Sequence, residues 1–436
     1  MKRLFFFLIF FFRTFEISAQ TNSYPPSWTL ENCIEYAKQH NISINSLRLS
    51  KNAAEQDLLQ TKEAKYPNLN ATVSQGIVAV NGNNGLNVNG IPSQSIGASS
   101  SMTLYRAGYI RNNEISKNLL VQMADLSVQE AQNNITLSIT QAYLNILMTE
   151  ENIVAFQEIL TTTRTQLKQG DQLYKAGSIS KLNYLQIQAQ VAQDEYNLVA
   201  AQNNLRTYIV NLKQILQLPT DYDFQIVKPE SITVDENFKT LSEVQNMAQN
   251  QRPEVKYGEL NIENSKTNLK MARASIFPTL SLTGNISSNY AYNNGNYFNQ
   301  LGNNFFLPIG LSLGIPIYNN RIYRTAIEKS KIEIQQANLD LLNTKTVLNQ
   351  QIEQAYISLQ NSVSQYESAS RQMDLNKQSY DIVTAQMKLG SIDYVQLQQQ
   401  RLTYIQSIQN FLQAKYSAVL NEQIYEFYAG NPINIR

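Results

Sequence analysis

The sequence predicts a mainly helical chain with a membrane-spanning β part: long α-helical hairpins that build an α-barrel, and strands that close a β-barrel only when several chains share them. Three observations predict it. The 436-residue chain repeats itself once, each copy sustains an apolar 4-3 rhythm over a very long span, and each copy holds two short segments that alternate apolar and polar residues.

The repeat comes first because it orders everything else. Lys175-Ala176-Gly177-Ser178-Ile179 recurs as Lys388-Leu389-Gly390-Ser391-Ile392, and Gln141-Ala142-Tyr143-Leu144 as Gln354-Ala355-Tyr356-Ile357, at an offset of 213 residues (177 to 390). Tyr66-Pro67-Asn68-Leu69 matches Phe277-Pro278-Thr279-Leu280, and Thr29-Leu30 matches Thr240-Leu241, at 211 (67 to 278). A shared offset over most of the chain marks a duplication, and two large copies differ from the many short units of a solenoid. Each copy has a first helix (29–65, 240–276), an apolar Gly/Ser-rich segment (67–105, 278–318), a very long helix (111–175, 321–388) and a second long helix (180–217, 393–429). Residues 218–239 hold Pro219 and Pro229 and read as an irregular connector.

The very long helices carry a coiled-coil seam. In copy one, Ile135, Ile139, Ala142, Ile146, Thr149, Ile153, Phe156, Leu160, Thr163 and Leu167 follow steps of four and three. Copy two repeats the rhythm from Leu348 and Ile352 to Val383 and Met387, in register under the offset of 213 (135 to 348). Some 65 residues at about 1.5 Å each make a rod of roughly 100 Å, longer than a globular core requires. Thr, Ser, Asn and Ala interrupt the seam, which suits helices packed sideways into a curved wall and equally an extended coiled-coil dimer. Gly177 and Gly390 stop the long helices, and the serines after them are placed to cap the next helix. Each copy is therefore a helical hairpin with a sharp tip.

The apolar segments alternate as strands do. Leu307, Ile309, Leu311, Leu313, Ile315 and Ile317 are separated by Pro308, Gly310, Ser312, Gly314 and Pro316. Leu280, Leu282 and Ile286 alternate with Ser281, Thr283, Asn285 and Ser287; Leu69, Ala71, Val73 and Ile96, Ala98, Met102, Leu104 do likewise. About ten residues is the length of a tilted outer-membrane strand. Tyr66, Tyr105, Phe277 and Tyr318 mark one membrane interface; Tyr290, Tyr292, Phe305 and Phe306 lie near the other, with polar loops at 81–94 and 291–304. Four strands cannot close a barrel, and open edges are not tolerated in lipid. Three chains would supply twelve strands, and by the same arithmetic twelve helices.

Composition narrows the function. With 35 basic and 34 acidic residues the net charge is +1, which argues against a nucleic-acid surface. Charged residues make up only 16%, and Asn and Gln fill the gap, as suits a pore wall. Lys2 and Arg3 precede the apolar run Leu4 to Phe12, and Ile17-Ser18-Ala19 offers a cleavage site, so residues 1–19 read as a signal peptide, with a short membrane anchor as the alternative. Cys33 and His40 are the single Cys and His, and no cofactor or metal site is expected. His40 reads as a helix-end residue and Glu150-Glu151 as solvated charge on the coil surface, so no catalytic group is assigned and no enzyme is expected.

The pattern resembles the TolC family of outer-membrane efflux proteins over nearly the whole mature chain. The resemblance rests on the two-fold repeat, on Arg252-Pro253-Glu254, and on the tips Tyr174 to Ser178 and Met387 to Ser391. It implies a homotrimer with an outer-membrane β-barrel, a periplasmic α-barrel and an equatorial belt, in a Gram-negative cell. It also implies that the tips (Lys175, Ala176, Gly177, Ser178; Lys388, Leu389, Gly390, Ser391) meet a periplasmic adaptor protein, and that an inner-membrane transporter supplies the energy. Family members often place acidic residues after the tip, facing the pore. The matching positions here are Asn183, Gln396 and Gln399, with Asp393 the nearest acid, so an amide-lined gate is expected.

The chain then divides into the signal peptide, an N-terminal periplasmic or equatorial segment with its helix at 20–66, a β-hairpin at 67–110, a helical hairpin at 111–217, an equatorial segment with the repeat helix at 218–277, a β-hairpin at 278–320, a helical hairpin at 321–429 and a tail at 430–436. The function expected is a passive exit duct of a tripartite efflux pump or type I secretion system. The alternative is a non-channel structural coiled coil of the cell envelope.

Overall fold

The computed structural model describes residues 24–78, 91–229, 233, 238–291, 296, 299–300 and 305–434. The signal peptide expected at 1–19, the loop residues 79–90 and Tyr292 lie outside the described residues. Copy one runs α1 (Leu30–His40), α2 (Ile42–Glu63), β1 (Asn70–Val78), β2 (Ile91–Tyr105), α3 (Tyr109–Lys175) and α4 (Lys181–Leu216). Copy two runs α5 (Leu241–Gln251), α6 (Pro253–Ala274), β3 (Thr279–Ala291), β4 (Phe305–Phe306), β5 (Ile309–Gly314), α7 (Ile322–Lys388) and α8 (Tyr394–Tyr428). The helices measure 11, 22, 67 and 36 residues in copy one and 11, 22, 67 and 35 in copy two, so the duplication holds element by element.

The first helix expected in each copy is in fact two. Asn41 takes an extended conformation, and its Oδ1 accepts from the Ser43 and Ile44 amides at 2.9 and 3.3 Å, capping α2. Its Nδ2 donates to the Ile215 carbonyl at 3.0 Å, which fixes the break against α4. In copy two, Pro253 fills the first position of α6, and the residue before a proline is held extended, as Arg252 is.

The 67-residue α3 and α7 run through both halves of the molecule, each about 100 Å long. Toward the sheet, neighbouring helices follow the order α2, α3, α6, α7; toward the tips, α3 pairs with α4, α7 with α8, and α3 with α8. None of the seam residues of copy one is exposed, and Ile139, Ile146, Leu160 and Thr163 are buried.

Two cores sit about midway along α3 and α7. One joins Trp28, α1, Ile139 to Leu147 of α3, the end of α4, and Leu218 and Phe224 of the connector. The other joins Val244, Ala248 and Val255 to Leu348 to Val363 of α7 and Tyr425 of α8. The connector adds one parallel bridge, Trp28 to Ile226, and the Tyr143 hydroxyl donates to the carbonyls of both Trp28 and Val227. Glu151 departs from the solvated role expected for Glu150-Glu151. Its side chain is half-buried and ion-paired with Lys415 at 3.3 Å and Lys228 at 3.4 Å. His40 does end α1, with its ring stacked on Tyr36 at 4.0 Å.

The strands form one antiparallel sheet in the order β1, β2, β3, then β4 and β5 together along β3. β2 and β3, from different copies, pair along almost their full length. Two expectations are corrected here. Pro308 cannot donate to a ladder, so the last strand is broken into β4 and β5, and it ends at Gly314, leaving Ile315 and Ile317 beyond it. The loop expected at 81–94 gives way to strand at Ile91.

Candidate functional site

The sheet register sorts side chains onto two faces. On one, Val73 lies opposite Ile96, Ala71 opposite Ala98 and then Ile286, Met102 opposite Leu282 and then Leu311, and Leu280 opposite Leu313. On the other, Gly97 lies opposite Ser287, Ser101 opposite Thr283 and then Gly310, and Thr103 opposite Ser281 and then Ser312. The apolar face is open: Val73, Ile309, Leu311 and Leu313 are all exposed. Among the described residues β1 has no partner on its outer edge, and β4 and β5 pair only with β3. Among them, too, no helix is long and apolar enough to cross a membrane. Tyr66, Tyr105, Phe277 and Tyr318 sit exposed at the four crossings between helices and sheet.

At the far end, both tips close the same way. Gly177 and Gly390 adopt φ of 73° and 71°, the left-handed region that L side chains rarely enter. Their amides bond the carbonyls of Tyr174 (2.9 Å) and Met387 (3.0 Å), and the next amides, Ser178 and Ser391, reach back to Leu173 (2.8 Å) and Gln386 (3.0 Å). This pairing is a Schellman stop. A Cβ at either glycine would meet nothing within 4 Å, so the backbone angle, not packing, selects glycine. The two serines therefore finish the preceding helix. The caps of the next helices are Ser180, whose Oγ accepts from the Asn183 amide at 3.1 Å, and Asp393, whose Oδ1 accepts from the Gln396 amide at 2.9 Å. Lys175 pairs with Asp171 at 2.6 Å in exposed positions, Leu389 is 81% exposed, and Ala176 and Leu389 are the C-cap residues before each glycine; Lys388 ends α7.

The four expected gate residues do not form one group. Asp393, Gln396 and Gln399 are exposed on α8, while Asn183 lines a cavity between the hairpins. The polar feature the sequence reading missed lies deeper along both helices. Arg401 of α8 and Asp194 of α4 form an ion pair with side chains only 2% and 1% exposed, and Arg401 Nη2 also donates to Thr163 Oγ1 of α3 at 3.3 Å. The pair ties the two hairpins together. Its signal was in the sequence: Tyr394, Leu397 and Arg401 share one helical stripe, as do Ile187, Val191, Asp194 and Leu198, so each repeat places one charge of opposite sign among buried apolar positions. Near the tips Ile187, Tyr394 and Leu397 pack with Leu167, Tyr380, Val383 and Met387, so the row of helices gathers into a four-helix bundle.

Comparison with known proteins agrees with this architecture. The chain matches the family described as outer membrane efflux protein over residues 33–217 and 244–430, the two copies of the repeat. It is 24% identical to toxin and drug export protein A of Aggregatibacter actinomycetemcomitans over 299 residues, 66% of this chain and 61% of that relative's length. It is 22% identical to outer membrane protein TolC of Escherichia coli over 409 residues, 90% of this chain and 80% of TolC. Its fold is similar to a solved structure of CusC, described in terms of transmembrane channel formation, with a TM-score of 0.78 at 17% identity and 92% of each chain covered. The repeat, the paired helical hairpins and the two-faced sheet are thus those of a known architecture, and the chain belongs to the outer membrane efflux protein family.

Proposed function

We propose that three copies of this chain form an outer-membrane channel, the passive exit duct of a tripartite efflux pump or a type I secretion system. One observation carries the reading: among the described residues, a single sheet with one mainly apolar face, interrupted by Gln75, Gln94, Ser100 and Ser288, and an open edge on each side. In lipid neither edge is tolerable, so neighbouring chains pair β1 with β4 and β5, and three sheets close a twelve-stranded barrel. The apolar face meets the acyl chains, Tyr66, Tyr105, Phe277 and Tyr318 lie at the headgroup level, and the Ser/Thr/Gly face lines the lumen. The helices continue as a periplasmic tube. The tips at Lys175 to Ser178 and Lys388 to Ser391 dock a periplasmic adaptor, and an inner-membrane transporter supplies the energy. Asn183, Asp393, Gln396 and Gln399 border the entrance. No step in this role calls for a catalytic group or cofactor.

Conductance of the purified protein in planar bilayers tests the reading. Discrete channel events from a species with three times the chain mass are expected. A water-soluble monomer without conductance would favour the structural coiled coil and sink the channel.

A further inference from the structure

Between the hairpins near the tips lies a cavity of about 380 Å³, at the lower end of the range in which small ligands are held. All four long helices line it. Gly170 and Leu173 of α3, Ile187 of α4, Met387 of α7 and Leu397 of α8, with Ile179 of the turn, give it mostly apolar walls. Gly170 keeps the space open, since a Cβ there would stand 2.8 Å from Ile187 Cδ1. No Asp, Glu, Lys or Arg side chain lines it.

Three of its lining side chains end in buried atoms without a hydrogen-bond partner: Gln166 Oε1, Thr384 Oγ1 and the Tyr394 hydroxyl. Tyr394 as a whole is only 5% exposed. A buried polar atom left unpaired costs free energy, so such atoms are normally satisfied by protein, water or ligand. Among the described residues, most of the buried side-chain atoms without a partner fall in this one region, since Gln398 and Arg401 Nη1 follow along α8. Burial pushes the Tyr394 phenol up to about 12, so it stays a neutral donor at physiological pH.

We propose that this cavity binds a small neutral amphiphile, an apolar body bearing a hydroxyl or amide that bonds Tyr394, Thr384 and Gln166. A charged ligand would surrender its hydration with no opposite charge to receive it. A purely apolar one would leave the three polar atoms unpaired. Because the walls come from both hairpins, occupancy favours the arrangement in which the hairpins are packed together.

The probe is 2-naphthol, with naphthalene as its counterpart lacking the hydroxyl, titrated into the purified full-length protein in lipid nanodiscs. Saturable binding at one site per chain is expected, with 2-naphthol about tenfold tighter than naphthalene. The triple variant Tyr394→Phe, Thr384→Val, Gln166→Leu largely keeps the shape of the site and should erase that preference. Met387→Trp should fill the cavity and leave only lipid partitioning. Uptake strictly proportional to probe concentration would mean that water serves the three groups, and would overturn the site. A hydroxyl preference that survives in the triple variant would overturn it equally, and this comparison decides alone if Met387→Trp fails to fold. Binding is read without transport, so failure here leaves the channel reading standing, and absent conductance leaves this site standing.

Discussion

At the sheet end the apolar side chains lie on the outside, and small polar residues face one another across the strands. At the tip end the apolar side chains lie inside, together with an arginine, an aspartate and several polar atoms that find no partner. The two ends are therefore incomplete in different senses. The sheet has satisfied its internal hydrogen bonds but needs lipid on one face and neighbours on both edges. The tips are self-contained, yet part of what holds them together is electrostatic and poorly matched.

The largest test of that contrast is at the tips. Removing one partner of a buried ion pair strands the other charge, at a cost of about 3–5 kcal/mol, so Arg401→Met should loosen the bundle by that order. Adding Asp194→Leu should restore most of it, because a buried pair replaced by apolar groups is often neutral. Hydrogen exchange along α4 and α8 reads both outcomes. If the double variant were as unstable as the single one, packing and not charge would hold the hairpins.

The sheet should answer to the face substituted. Leu311→Arg places a charge on the apolar face and should cost about 2–4 kcal/mol of folding free energy in bilayers, as near the midplane of a membrane barrel. Ser312→Arg, one residue along on the polar face, should cost much less. Folding titrations into vesicles compare them, and equal penalties would remove the assignment of the faces.

A smaller effect belongs to the turns. Gly177→Ala and Gly390→Ala force a side chain into the left-handed region, worth about 1 kcal/mol at each site. Since no neighbouring atom crowds either glycine, Asn should be tolerated better than Ala at both positions, which thermal unfolding of the two pairs of variants would show.

Much of this was legible in the sequence because duplication supplies an internal control: a glycine or a seam position that recurs at a fixed offset signals structure twice. The tips and the long hairpins stand out that way, while the strands show themselves by alternation within each segment. What escaped was local chemistry that differs between copies. Asn41 and Pro253 break the same helix by unrelated means, one a side-chain cap and the other a missing amide, so no shared motif announced the break. Pro308 fits an alternating strand by pattern, yet its missing donor divides that strand. The Arg401–Asp194 pair was hidden because its two halves lie in different copies, and a repeat aligned on itself matches like with like.

The open edges of the sheet also fix the kind of assembly available. Strands alternate in direction across β1, β2, β3 and β5, so one chain's last edge runs antiparallel to the next chain's first, and the contact is head to tail. Such a contact closes a ring only when every member offers two good edges. A subunit spoiled along β1 alone would join by its other side and halt growth there, so a minority of damaged chains would poison a majority of the pores in the same cell.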